Sequence, residues 1–147
     1  MEQYGERDLC QVTGLLNMMQ FMRLAFVHLQ DPLAEPLTFL YFDIENFKSF
    51  NQRYGFQQGN RLLRYVADLL REIFEGDLVA RLNDDHFAVA TQSGNAGDCI
   101  QFIHERVRVY DMGLPMEVKA GIYCPPQGVT DVALIMDRAK IACNSIK

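Results

Sequence analysis

TFLYFDIENFKSFNQRYGFQQGN, residues 38–60, is the stretch on which the fold turns. Its opening, Thr38 to Ile44, is apolar and rich in aromatic side chains, the pattern of a short buried strand. Asp43 interrupts that run near its end, and Glu45 follows two residues later. Burying an unpaired carboxylate is costly, so acids at the end of a buried strand meet solvent, a cation or a metal. A second acidic pair, Asp84 and Asp85, lies within LVARLNDDHFAVAT, residues 78–91. Leu78 to Leu82 and Phe87 to Thr91 read as strands. The polar tetrad Asn83-Asp84-Asp85-His86 reads as the turn between them, because Asn and Asp tolerate the positive φ of tight turns. If the first strand lies beside this hairpin, Asp43 and Asp85 converge at one sheet edge. Two carboxylates and a backbone carbonyl make a hard, oxygen-rich site suited to Mg²⁺. The same acids also have a plain structural reading. Asp84 and Asp85 serve a turn, while Asp43 and Glu45 favour the positive end of a helix starting near Asn46.

Outward from these two stretches the chain alternates helix and strand. Val12 to Leu29 reads as a helix that is apolar on most faces. Leu62, Leu63, Val66, Leu69, Leu70 and Ile73 recur at helical spacing. Asp98 to Tyr110 reads as a helix anchored by Ile100, Ile103 and Val107, and Met116 to Tyr123 as a strand with Val118, Ala120 and Ile122 alternating. Thr130 is placed to cap a last helix carrying Val132, Ile135, Met136, Ala139 and Cys143 on one face. The order α-β-α-β-β-α-β-α predicts an α+β fold. Its centre is a mostly antiparallel sheet covered by helices, of the palm-like, ferredoxin-like type.

The 147 residues suit a single domain, with 49% hydrophobic and 22% charged residues. A net charge of −5 without a basic run argues against a nucleic-acid partner, since phosphate neutralisation needs clustered Lys and Arg. It leaves room for a nucleotide held by a metal ion and backbone N–H groups. Cys10, Cys99, Cys124 and Cys143 show no metal-ligand spacing and read as reduced thiols of a cytoplasmic domain. The most apolar stretch, Leu15 to Leu29, is shorter than a membrane span and is broken by Asn17, Gln20, Arg23 and His28. No membrane contact is expected within this segment.

Five segments, in order, resemble the GGDEF family of cyclic-dinucleotide signalling domains. FDIENFKSFNQRYGFQQGN, residues 42–60, is similar to D-x-D-x-F-K-x-x-N-D-x-x-G-H-x-x-G-D at Asp43, Phe47, Lys48, Asn51, Gly55 and Gly59, with Glu45 a conservative variant. VTGLLNMMQF, residues 12–21, resembles the opening L-T-G-L-x-N-R-R-x-F. VARLNDDHFAV stands where the family has V-A-R-y-G-G-D-E-F-A-V. VKAGI, residues 118–122, and MDRAKIACNSIK, residues 136–147, resemble the later strand and the closing helix.

The resemblance implies a domain type in which two GTP molecules, one per domain, are joined head to tail into cyclic di-GMP. It implies Mg²⁺ held by Asp43, Asp85 and the Ile44 carbonyl. Asn51 and Asn60 would read the guanine edge, and backbone groups near Phe47 and Lys48 would approach the phosphates. Asp85 and His86 would occupy the catalytic positions. The family's phosphate-binding Lys falls on Asn144, with Lys140 one turn away. Asp77 fits the last position of the R-x-x-D inhibitory motif, but Phe74 stands at its Arg position, and Arg71 lies one turn earlier.

The signature itself is altered, to NDDHF. Asn83 and Asp84 replace two glycines, which would let substrate approach the backbone, and His86 replaces an acid. Asn60 replaces an Asp, so its acceptor is no longer charged. Three readings follow. One is a degenerate regulatory domain that binds guanine nucleotide beside an EAL-type or sensor domain of a larger protein, which a membrane tether elsewhere in that protein would not contradict. A second is an active diguanylate cyclase. A third is a nucleotide-free dimerisation or docking module, supported by Met18, Met19 and Met22 on the first helix.

Overall fold

The computed structural model describes residues 5–110 and 116–145. Its elements are α1 (Met18–Gln30), β1 (Thr38–Glu45), α2 (Phe47–Tyr54), α3 (Phe56–Ile73), β2 (Leu78–Asn83), β3 (His86–Thr91), α4 (Ala96–Arg108), β4 (Glu117–Tyr123) and α5 (Val132–Asn144). The four strands form one sheet in the order β2-β3-β1-β4, and every neighbouring pair is antiparallel. This is the expected α+β architecture, with β3 and β1, the two strands buried on both faces, at its centre. Among the described residues, no helix is long and apolar enough to cross a membrane.

Strand period 2 sorts β1 between two cores. Leu40, Phe42 and Ile44 pack with Phe47 and Phe50 of α2, Leu62, Val66 and Leu70 of α3, and Ile103 and Val107 of α4. Phe39 faces Phe21 and Ala25 of α1 and Ile135 of α5, and Tyr41 faces Ala139 and Cys143. Helices therefore cover both faces of the sheet. Phe39 and Phe42 are fully buried, and each contributes about 1.5–3 kcal/mol relative to exposure. On β4, Gly121 lets α5 lie directly on the strand. A Cβ there would fall 2.2 Å from the Cys143 amide N and 2.4 Å from the Ala139 carbonyl O.

Several boundaries differ from the sequence expectation. The first helix begins at Met18, not Val12. Gly14 has a φ of 76°, Thr13 Oγ1 accepts from the Leu15 N–H, and Asn17 caps the helix by accepting from the Gln20 N–H. The residues before the cap instead pair with the free edge of β2. Leu16 N–H donates to the Val79 carbonyl, and Arg81 N–H donates to the Leu16 carbonyl. One expected helix becomes two, α2 and α3, because Gly55 between them adopts φ 89° and ψ 166°, a region open to glycine alone. The last helix is capped by Asp131, whose carboxylate accepts from the Leu134 N–H, rather than by Thr130.

The hairpin turn is also tighter than expected, with only Asp84 and Asp85 between Asn83 and His86. Neither has positive φ; among the described residues the one non-glycine that does is Asn46, which turns the chain from β1 into α2. A register shift between Arg81 and Asn83 bulges β2 by one residue. That bulge adds the local twist a mirror-image turn would otherwise supply.

Candidate functional site

The end of β1 and the tip of the β2–β3 hairpin meet as the sequence predicts. Asp43 pairs with His86 in the ladder, and the Ile44 N–H donates to the Asp85 carbonyl at 3.0 Å. Tyr41, Asp43 and Glu45 share one face of β1 by strand alternation. On that face the His86 ring is held at both nitrogens. Nδ1 lies 2.7 Å from the Tyr41 hydroxyl. Nε2 lies 3.3 Å from Asp43 Oδ1 and 3.4 Å from Asp85 Oδ1. The Tyr41 and His86 rings also meet edge to face at 5.3 Å.

The electrostatics of this corner follow from half-burial of like charges. Burial raises the Asp43 carboxyl above its ordinary range; the facing imidazole lowers it, but Asp85 and Glu45 add to the rise. Burial, with the Asp43 charge, pushes the Tyr41 phenol up to about 12. The phenol therefore stays protonated and available as a hydrogen-bond partner for His86. Lys119 stands opposite Asp43 in register, yet its ammonium lies 2.6 Å from Glu45 Oε1. Glu45 thus has its own partner on β4, and neither it nor Asp43 caps α2, whose N-cap Asn46 makes no side-chain cap bond.

Asp43, Asp85 and His86 each offer one ligand atom, and all three atoms lie within 4.8 Å of one another. Two carboxylates and an imidazole can hold a divalent cation. Asp43 and Asp85 are the two carboxylates that the resemblance implies for Mg²⁺, a cation that takes oxygen ligands and keeps several waters, and His86 adds a nitrogen beside them. An imidazole nitrogen suits zinc and its first-row neighbours better. The group fits a divalent metal.

On the other side of the hairpin tip lies a cavity of about 300 Å³. Phe47, Lys48 and Asn51 of α2 and Phe56 and Asn60 of α3 line it, with Arg81, Asp84 and Asp85 from the hairpin. Asp85 therefore belongs to both features. Of the residues lining it, Asn51 has a buried Oδ1 with no hydrogen-bond partner. It lies against Gly59, where a Cβ would sit only 1.7 Å from that oxygen. The first-turn N–H groups of α2 have no intrahelical acceptors, and the Asn46 side chain does not cap them.

Phe47, Lys48, Asn51, Asn60, Asp43, Asp85 and His86 are thus brought to one end of the sheet. Lys140 and Asn144 are exposed on α5, and neither lines the cavity nor joins the Asp-Asp-His group. Asp77 lies at the other end of the hairpin and accepts from the Thr91 hydroxyl at 2.6 Å. Arg71 and Asp77 share a cavity of about 250 Å³. Arg71 is engaged by Asp68 and the Thr13 carbonyl, each at 2.7 Å, and Phe74 is buried.

Sequence reasoning missed Tyr41, Lys119, Phe56 and Arg81. Tyr41 was legible, being two residues from Asp43 on the same strand face. Lys119 needed the β1–β4 register, and Phe56 needed the glycine break before α3. Arg81 donates from Nε and Nη2 to the Asp84 carbonyl, at 3.2 and 2.8 Å, and from Nη1 to Cys10 Sγ at 3.4 Å. Burial pushes the Cys10 thiol up, but hydrogen bonds from Thr13 and Arg81 outweigh it and hold the pKa below its usual value.

A family model described as "Diguanylate cyclase, GGDEF domain" matches residues 8–147. The chain is 39% identical over 77 residues to "Probable diguanylate cyclase DgcF" of Escherichia coli (strain K12), a match covering 51% of this chain and 24% of that protein. It is 31% identical over 81 residues to "Cyclic di-GMP phosphodiesterase NbdA" of Pseudomonas aeruginosa, covering 53% of this chain and 10% of that one. The matches thus span between 10% and 24% of these curated relatives' lengths. The fold is similar to the coiled coil and GGDEF domain of DgcB from Caulobacter crescentus in complex with c-di-GMP. That likeness has a TM-score of 0.85 at 19% identity and covers 95% of this chain and 80% of that one.

Proposed function

The chain belongs to the GGDEF family of diguanylate cyclase domains, and we propose that within it this chain is a regulatory domain that binds a guanine nucleotide and makes little or no cyclic di-GMP. The observation that carries the reading is the pair of amides, Asn51 and Asn60, on the wall of the cavity beside the hairpin tip, with Asn51 Oδ1 left without a hydrogen-bond partner. A buried acceptor without a donor costs about 1–3 kcal/mol. The Watson–Crick edge of guanine supplies N–H donors. Asn60 adds a second amide on the cavity wall, neutral where a charged acceptor would bind more tightly. Phe56 offers an aromatic face on which a base can stack. Lys48 and the open N–H groups of α2 favour phosphate.

The altered signature supports weak turnover. Asp84 lines the cavity and sets a negative charge against a triphosphate. Asn83 and Asp84 add side chains where bare backbone would admit substrate closely. His86 gives the corner an imidazole in place of a third carboxylate. The inhibitory position is incomplete as well, with Arg71 already engaged and Phe74 in the core. We place the domain in the cytoplasm, next to an EAL-type or sensor domain of a longer protein.

Calorimetric titration with GTP, GDP and ATP tests the reading. Guanine nucleotides are expected to bind, ATP to bind at least tenfold more weakly, and Asn51→Ala to lose the guanine preference. Chromatography after incubation with GTP is expected to show no cyclic di-GMP. Equal affinity for ATP, or steady cyclic di-GMP production, would refute it. The triple change Asn83→Gly, Asp84→Gly, His86→Glu is expected to tighten GTP binding; no change in affinity would remove the hairpin argument. A second reading, a homodimerisation role, is favoured by the exposed Met18, Met19, Phe26 and Val27 on α1.

A further inference from the structure

We propose that Asp43, Asp85 and His86 form a tetrahedral site for Zn²⁺ or a cation of its class, with a fourth position open, in place of a Mg²⁺ site. The inference rests on reading this end of the sheet as the ligand site, and it concerns the cation rather than the nucleotide. Spacing separates the alternatives. His86 Nε2 is 3.3 Å from Asp43 Oδ1 and 3.4 Å from Asp85 Oδ1. Cis ligands of an octahedral cation with bonds of about 2.0–2.1 Å stand about 2.9 Å apart. Ligands of a tetrahedral zinc, at about 2.0–2.1 Å each, stand about 3.3–3.4 Å apart. Both observed separations match the tetrahedral geometry.

A second observation points the same way. Metal-bound histidines engage their other ring nitrogen, which fixes the tautomer and the ring plane. His86 Nδ1 lies 2.7 Å from the Tyr41 hydroxyl, and the two rings pack edge to face. With Nδ1–H donating to the phenol oxygen, the Nε2 lone pair faces the two carboxylates. Lys119 stands beside Asp43 in register, but its ammonium pairs with Glu45, and among the described residues no ammonium forms an ion pair with Asp43 or Asp85. Two carboxylates, a correctly turned imidazole and a held partner make a site for a cation that accepts nitrogen.

The test uses nucleotide-free protein, stripped with a chelator and titrated with Co²⁺, a visible stand-in for Zn²⁺. The expected result is one equivalent of Co²⁺ with the intense visible absorption of four-coordinate cobalt, and no thiolate charge-transfer band. Zn²⁺ should displace it stoichiometrically, whereas Mg²⁺ should fail even in large excess. Tyr41→Phe should weaken Co²⁺ binding by about tenfold or more with the fold intact by circular dichroism. His86→Glu should reverse the preference, weakening Co²⁺ and giving a Mg²⁺-dependent thermal shift absent from the parent. The proposal is overturned if no visible band forms, if the band carries thiolate character, if Mg²⁺ competes at the same concentration as Zn²⁺, or if His86→Glu leaves the metal order unchanged. Asn51→Ala, measured alongside, should spare Co²⁺ binding while lowering GTP affinity in chelator. Failure of the nucleotide reading is therefore distinct from failure of this one.

Discussion

Gly59→Ala should separate stability from nucleotide binding in this domain. Gly59 lies inside α3, where Ala is favoured over Gly by about 0.8–1.0 kcal/mol in helix propensity. The added Cβ would sit 1.7 Å from Asn51 Oδ1, 2.9 Å from Cγ and 3.4 Å from Nδ2. To reach an ordinary contact of 3.4 Å the oxygen must recede by 1.7 Å, the difference between 3.4 and 1.7. Rotation of the Asn51 side chain achieves this, and the move breaks no hydrogen bond, because that oxygen has none. Stability should therefore hold or rise, by up to about 1 kcal/mol, which is roughly 2–4 °C in Tm for a chain of this size. The acceptor that the proposed function assigns to guanine is displaced, however. A net hydrogen-bond contribution of about 0.5–1.5 kcal/mol weakens GTP binding by roughly twofold to tenfold, at 1.4 kcal/mol per decade. Calorimetry with GTP and thermal unfolding of the free protein measure both effects. The double variant with Asn51→Ala should bind no worse than Asn51→Ala alone. Unchanged GTP affinity in Gly59→Ala, or further loss in the double variant, would refute the role given to Asn51.

Gly121→Ala should destabilise the domain by about 1–3 kcal/mol, as overpacking does, since its Cβ would meet the α5 backbone at 2.2 and 2.4 Å; urea denaturation at equilibrium reads it. Arg81→Gln removes the donors to the Asp84 carbonyl. It should cost about 1 kcal/mol in thermal unfolding and speed amide exchange at the hairpin tip, while protection in β4 stays the same. The Asp43 carboxyl is raised in the fold, so the native state binds its proton more tightly than the unfolded chain. Its effect on stability is therefore neutral at low pH and unfavourable above the folded pKa, with stability falling as pH rises between the two values. Asp43→Asn should raise the Tm of metal-free protein at neutral pH, and the gain should shrink as pH is lowered through the carboxylate range. A gain that grew on acidification would contradict the assigned direction.

Local pattern carried most of the architecture. The apolar run at 38–44, the helical spacing after Leu62 and the hairpin at 78–91 each require only nearest neighbours along the chain to be read. Element ends were less legible where a backbone conformation overrides composition. Gly14 and the Asn17 cap stop α1 from reaching Val12, and Gly55 divides α2 from α3. The run from Val12 to Leu16 is apolar because part of it seals the edge of β2, a long-range contact that looks like helix when read locally.

The acids and the imidazole of the candidate site were visible in the sequence as types and spacings, as were the amides Asn51 and Asn60. Their relations were not. That His86 lies between Asp43 and Asp85 depends on strand register and on a one-residue bulge, neither of which residue order encodes locally. That Lys119 turns to Glu45, and that Asn51 keeps an oxygen without a partner, depends on which side chains reach one another across the sheet and between helices. Hydrophobic period decides where the chain is buried, because water acts on each residue separately. Chemistry at the hairpin tip is decided by distances between residues 40 or more positions apart, and only the packed tertiary structure sets those.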